Sequence, residues 1–161
     1  MTEEKLKLAV NDMLSILKVD KHCIDSYRAV ASVKTLKDYA IVLNQFRTEL
    51  RHQNFPTAEY MRKWFIDDLE EINQYGVYID QKDIVHSQNE FDVFIFGESE
   101  VTFVGNCHKH QHIVVNNNSK VNVIPYPYSV CFVQLKNNSD CKIVDKPNSS
   151  IIKVIDKRNN E

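Results

Sequence analysis

A chain of 161 residues, 43% of them apolar, is long enough to bury one core or two small ones. A formal net charge of -2 excludes the broad basic excess of a phosphate-tracking nucleic-acid binder, so any cationic surface has to be local. No apolar run approaches the roughly 18 residues of a membrane span, the opening Met-Thr-Glu-Glu lacks the positive region of a signal peptide, and the four cysteines (Cys23, Cys107, Cys131, Cys141) show no CxxC spacing, which together predict a cytoplasmic protein with free thiols and no membrane association.

In chain order, the first element is a helix capped by Thr2, with Leu6, Val10, Met13, Leu14 and Leu17 on one face. Asp20 is placed to cap a short second helix carrying Ile24, Tyr27 and Val30. Thr35, with Asp38 three residues on, has the form of a capping box opening a third helix, striped by Leu36, Tyr39, Ala40, Leu43, Phe46 and Leu50. A turn at Asn54, Phe55 and Pro56 leads to Thr57, the expected cap of a fourth helix, which runs through Met61, Trp64, Phe65, Leu69 and Ile72 until Gly76 ends it. Four amphipathic stripes predict a small helical bundle over residues 1–82.

From residue 89 the chain falls into blocks of ten that open at Asn89, Ser99, Lys109, Ser119, Ser129 and Ser139, with a degenerate seventh at Ser149. In most blocks a small or polar residue precedes a strand whose third and fifth positions are apolar and share a face, as in Val101 and Phe103 or Val121 and Val123. Gly97, Asn117, Asn137, Pro147 and the Pro125 and Pro127 pair fall between strands, where turns need them, and the Asn-x-Ser sequons at Asn117, Asn137 and Asn148 coincide with those turns. The fold class is therefore α+β, a helical bundle followed over residues 83–161 by an all-β repeat domain. A β-solenoid, with the helices capping one end, is favoured over an antiparallel meander.

Three clusters are candidates for chemistry. Arg47, Arg51, His52, Arg62 and Lys63 bracket the turn between the third and fourth helices as a basic patch, read either as a solvated helix end or as a site for an anionic partner. His108, His110 and His112 have strand spacing compatible with zinc or copper, yet no Asp or Glu lies between Val101 and Ser139 to complete a set, so a solvated histidine face is the favoured reading. That acid-free stretch also carries Lys109, Lys120, Tyr126 and Tyr128, a mildly basic, aromatic surface suited to an acidic protein patch or to RNA. Three scattered glycines make no phosphate loop, and no nucleophile, base and acid are linked by spacing; neither a catalytic site nor a cofactor is expected.

The segment from Thr35 to Asp80, with its capped helix, Asn54-Phe55-Pro56-Thr57 turn, Trp64-Phe65 helix and closing Tyr75-Gly76-Val77-Tyr78-Ile79-Asp80, resembles small accessory proteins of Bacteroidetes phages and mobile elements, which run on into short Asn-Ser-x-Val repeats. The resemblance implies a non-enzymatic protein with a target in the host cytoplasm, most readily an anti-CRISPR-type inhibitor that occupies a Cas nuclease or its guide ribonucleoprotein. Two further expectations stand beside it: a phage assembly module that oligomerises through its β repeats, and an RNA- or metal-binding regulator.

Overall fold

The computed structural model describes residues 1–17, 24–47, 55–86 and 91–156. Asp20, Cys23, Leu50, Arg51, His52 and Asn54 lie outside them, so the cap expected at Asp20 and the end of the third helix's stripe do too. The chain divides into two compact units, Met1–Tyr75 and Gly76–Glu161.

The first unit holds helices α1 (Glu3–Ile16), α2 (Ile24–Ala31), α3 (Leu36–Gln45), α4 (Ala58–Phe65) and α5 (Leu69–Asn73). The expected caps form. The Thr2 hydroxyl accepts from Lys5 N, Thr57 accepts from Tyr60 N, and Thr35 and Asp38 close a reciprocal capping box. Met13, Tyr39, Leu43, Met61, Phe65 and Ile72 are fully buried, as the stripes require. Two buried phenols find partners: Tyr60 Oη donates to the Ala9 carbonyl at 2.8 Å, and Tyr39 Oη to Met61 Sδ at 3.6 Å. Burial raises both phenols well above their ordinary value.

The fourth helix departs from expectation. It breaks at Phe65 into a 3-10 turn, Ile66–Asp68, before α5 resumes. In this turn Asp67 and Asp68 lie 3.2 and 2.7 Å from Lys5 Nζ and tie it to α1.

The second unit is a parallel β-solenoid of about four turns. Strands β1 (Val77–Ile79), β3 (Val93–Phe96), β5 (His110–Val115), β7 (Val130–Leu135) and β9 (Ile151–Asp156) form one sheet; β2 (Lys82–His86), β4 (Glu100–Val104), β6 (Lys120–Ile124) and β8 (Asp140–Ile143) form the other. Every pairing is parallel, which excludes the meander. Successive ten-residue blocks alternate between the two sheets, so a full coil spans two blocks: Val93 pairs with Ile113, and Val101 with Val121. The expected alternation holds inside, where Val101, Phe103, Ile113, Val121, Val123, Cys131 and Val133 form the buried core between the sheets.

Two departures concern the ends of the repeat. The solenoid begins at Gly76 rather than after residue 82. Its first coil is shorter, with Val77 opposite Phe94 and Lys82 opposite Glu100, and so it falls out of the ten-residue count. Gly76 is required at the junction: its φ is +79°, its carbonyl accepts from Phe94 N at 2.8 Å, and a Cβ there would stand 2.4 Å from the Asp92 carbonyl oxygen. At the other end the degenerate block is a true strand. The register into β9 carries one extra residue, so Val130 pairs with Ile151, twenty-one positions on rather than twenty, and Ile152 rather than Ile151 faces the core.

One corner, from the first sheet to the second, is built by repetition. Asp80, Gly97, Asn117 and Asn137 all take positive φ there, a conformation that glycine, asparagine and aspartate tolerate best. Behind them Ser99, Ser119 and Ser139 are fully buried. Ser119 Oγ donates to the Gly97 carbonyl at 3.0 Å and accepts from Ser99 N at 3.3 Å, while Ser139 Oγ donates to the Val115 carbonyl at 3.0 Å. Asn137 Nδ2 donates to Asn116 Oδ1 at 2.7 Å, adding a side-chain rung. The sequons are turn chemistry, with their serines inside.

Candidate binding surface

The stretch without acids is one segment of sequence but not one surface. The solenoid distributes its residues over a corner and two sheet faces.

The corner from the second sheet back to the first carries His108, Lys109, Tyr126 and Tyr128. Gly105 lets successive coils approach here: its N–H donates to the Ile124 carbonyl at 2.9 Å, and a Cβ would lie only 3.2 Å from Tyr126 N. His108 and Tyr128, one coil apart, both adopt left-handed backbone (φ 55° and 61°), and their rings stack with centroids 5.3 Å apart and planes 2° from parallel. Tyr126 and Tyr128 are 49% and 62% exposed. The opposite corner meets the same demand with Asp, Gly and Asn. Left-handed backbone costs Tyr128 about 1 kcal/mol or more relative to residues that suit it, histidine being among those enriched there, and the arrangement leaves large aromatic surface in water.

The outer face of the first sheet continues the aromatic strip. His110 heads β5 beside Val130, and His112 stacks on Phe132 at 5.0 Å with planes 18° apart. His108 therefore belongs to the corner, and only His110 and His112 share a strand face. Among the described residues no three His, Cys, Asp or Glu side chains converge as a metal-binding group.

Lys120 stands elsewhere, on the outer face of the second sheet. Parallel register there aligns Lys82, Glu100, Lys120 and Asp140 in one column of alternating sign. Lys82 Nζ lies 3.0 Å from Glu100 Oε2, and that contact, with Lys120 on the next strand, holds the Glu100 carboxyl below its usual range. Each neighbouring acid is about twenty residues away in sequence, so the acid-free reading of Lys120 is corrected: it sits between two carboxylates.

The basic cluster of the helical unit is divided as well. Lys63 Nζ is bound to Asp12 Oδ2 at 2.7 Å and lies 4.6 Å from the Trp64 ring centroid, and Trp64 Nε1 donates to the same carboxylate oxygen at 2.7 Å. Lys63 and Trp64 thus fasten α4 to α1, and together they hold Asp12 below the ordinary carboxylate range. Arg47 Nη1 donates to the Asn44 carbonyl at 3.1 Å, Arg62 is half-buried, and Arg51 lies outside the described residues.

Sequence reasoning identified Tyr126, Tyr128, Lys109 and the histidines, but not the stacking, which depends on pairs one coil apart. Doubling the ten-residue period would have shown it, since His108 and Tyr128, and His112 and Phe132, each differ by twenty. Among the described residues no helix is long and apolar enough to cross a membrane. No protein-family model, curated protein or solved structure matches the chain.

Proposed function

We propose that this chain is a non-catalytic binding protein that engages a macromolecular partner through the aromatic corner formed by His108, Lys109, Tyr126 and Tyr128. The observation that supports this reading is the use of stacked, exposed rings in left-handed backbone where the opposite corner uses Asp, Gly and Asn. Strain retained at an exposed position calls for a function that compensates it. Rigid aromatic surface with a nearby cation is the composition that dominates interface hot spots and that stacks on unpaired bases. The parallel solenoid holds these rings on a stiff frame, and the helices serve as a small bundle beside it in the chain.

The resemblance to phage accessory proteins gives the specific form of the proposal. The partner is a host defence nuclease of the CRISPR type or its guide ribonucleoprotein, met in the host cytoplasm and inhibited by occupation, without cofactor or turnover.

The test is stoichiometric inhibition and binding against a panel of guide-loaded Cas nucleases, with the guide RNAs alone as a second arm. The parent protein is compared with a His108→Asn/Tyr128→Asn/Tyr126→Ser variant; asparagine keeps the left-handed turns and removes the rings. Loss of binding with an unchanged circular dichroism spectrum is the expected result. Absence of binding by the parent to every nuclease and guide, or a variant that binds as tightly as the parent, overturns the reading.

A further inference from the structure

The two ring stacks belong to one strip. His108 and Tyr128 stack in the corner where the chain enters β5 and β7, and His112 stacks on Phe132 further along the same two strands. Four residues, at most about 14 Å of chain, separate the first stack from the second. The inward neighbours Gln111 and Cys131 are buried, while His110, His112, Val130 and Phe132 keep part of their surface in water on the outer side of the sheet. A rigid strand pair thus displays two stacks of rings at a fixed separation.

The charges around this strip are polarised. The outward positions of β5, β7 and β9 carry no Asp or Glu, and Lys153 stands exposed on β9 beside Phe132. Lys109 adjoins the first stack in sequence. Asp92, one residue before the Val93 and Ile113 pair, is placed on the β3 side of β5, the flank away from Lys153. An anionic backbone therefore fits along the β9 flank, with whatever it carries turned towards the rings.

Unpaired nucleobases suit that arrangement. Every base has a π face that stacks on an aromatic ring, and imidazole edges can donate or accept a hydrogen bond. A single strand is not held at the 3.4 Å repeat of a duplex, so a few nucleotides can splay their bases onto rings that stand well apart. Duplex bases are stacked on one another and offer no free face. An acidic protein patch would use the lysines and leave the two stacks without a role.

We propose that this strip binds single-stranded RNA, with one unpaired base on the His108 and Tyr128 stack, another on the His112 and Phe132 stack, and the phosphates between them along the Lys153 flank. The proposal rests on the aromatic corner being a binding surface and extends that surface onto β5 and β7. RNA is the occupant rather than DNA because the imidazole edges can meet its 2′-hydroxyls.

The test is a fluorescence anisotropy titration of the full chain with short labelled oligoadenylate and oligouridylate, beside DNA strands of the same sequences and a duplex RNA. The parent should bind the RNA single strands most tightly. Two phosphate contacts, at Lys109 and Lys153, predict a slope of about -1.4 in log affinity against log salt, and Lys153→Gln should roughly halve it. His112→Thr/Phe132→Thr removes the second stack, leaves the corner intact and keeps residues that suit a strand, and it should weaken binding about tenfold with an unchanged circular dichroism spectrum. A parent that binds DNA or duplex RNA as tightly as the RNA strands overturns the proposal, as does a His112→Thr/Phe132→Thr variant that binds like the parent. A parent that captures a guide-loaded nuclease but no free RNA strand overturns this proposal and leaves the corner standing as a protein-binding surface; one that binds neither overturns both.

Discussion

Substituting Val121 by aspartate tests the solenoid register at its centre. Val121 is 1% exposed on β6, flanked in the inward ladder by Val101 on one coil and Cys141 on the next. Removing the valine forfeits about 2 kcal/mol of apolar burial. The carboxyl that replaces it must be kept neutral inside the core, and at pH 7, against an unfolded value near 3.9, that costs about 4 kcal/mol. The total, about 6 kcal/mol, is comparable with the whole stability of a domain this size, so the variant's β unit should be unfolded or barely folded at neutral pH. The folded-state pKa of the new carboxyl is raised, so the folded state binds the proton more tightly and the penalty shrinks as pH falls. About 1.4 kcal/mol should return per pH unit between pH 7 and pH 5. Asn122 lies one residue on but faces water, aligned with Thr102 and Lys142, and Asn122→Asp should change stability by less than about 0.5 kcal/mol. Urea titrations of parent and both variants at pH 7 and pH 5 measure all of this. Equal destabilisation by the two substitutions, or a Val121→Asp penalty that does not ease in acid, would refute the register.

Three further outcomes follow from the same geometry. Ser119→Ala removes a hydroxyl that bridges two coils and takes from the buried Ser99 N–H its acceptor, while the Gly97 carbonyl keeps the Asn118 N–H, which should cost about 1 to 3 kcal/mol in a denaturant titration; Asn118→Ala, at an exposed position next to it, should cost far less. Thr35→Ala breaks the capping box of α3 and should destabilise the helical unit by about 1 kcal/mol, read from the urea midpoint. Asp12 is held below its ordinary value of 3.8 by Lys63 and Trp64, so its contribution is fully present above that value and is lost as pH falls through the lower folded-state value. Asp12→Asn should therefore melt below the parent at pH 7, and the gap should close in melts at progressively more acid pH.

Local patterns settled much of this fold in advance. Thr2, Thr35 and Thr57 cap helices because a hydroxyl three residues before a free backbone N–H is a purely local device. The strand interiors were equally legible, since alternation along β4, β6 and β7 carries its own reading of which side chains point inward. What the sequence alone left open were relations across coils. A block of ten is half a coil only when the chain alternates between two sheets, and that choice depends on parallel pairing twenty residues away. The first coil escaped notice because its spacing is shorter, and the contact of Asp67 and Asp68 with Lys5 because it joins residues some sixty apart.

The candidate surface divides along the same line. Composition singled out Lys109, Lys120, Tyr126 and Tyr128 together, because an absence of acids is a property of sequence neighbours. Electrostatic surroundings are a property of spatial neighbours, and Glu100 and Asp140 reach Lys120 through the register while Tyr126 and Tyr128 sit on a separate corner. The sequence by itself determined which residues are apolar, which can cap a helix and which tolerate a left-handed turn, for these depend on each side chain and its immediate backbone. Only the tertiary structure decided which charges alternate and which rings stack, for each of those requires two strands to lie about 4.8 Å apart.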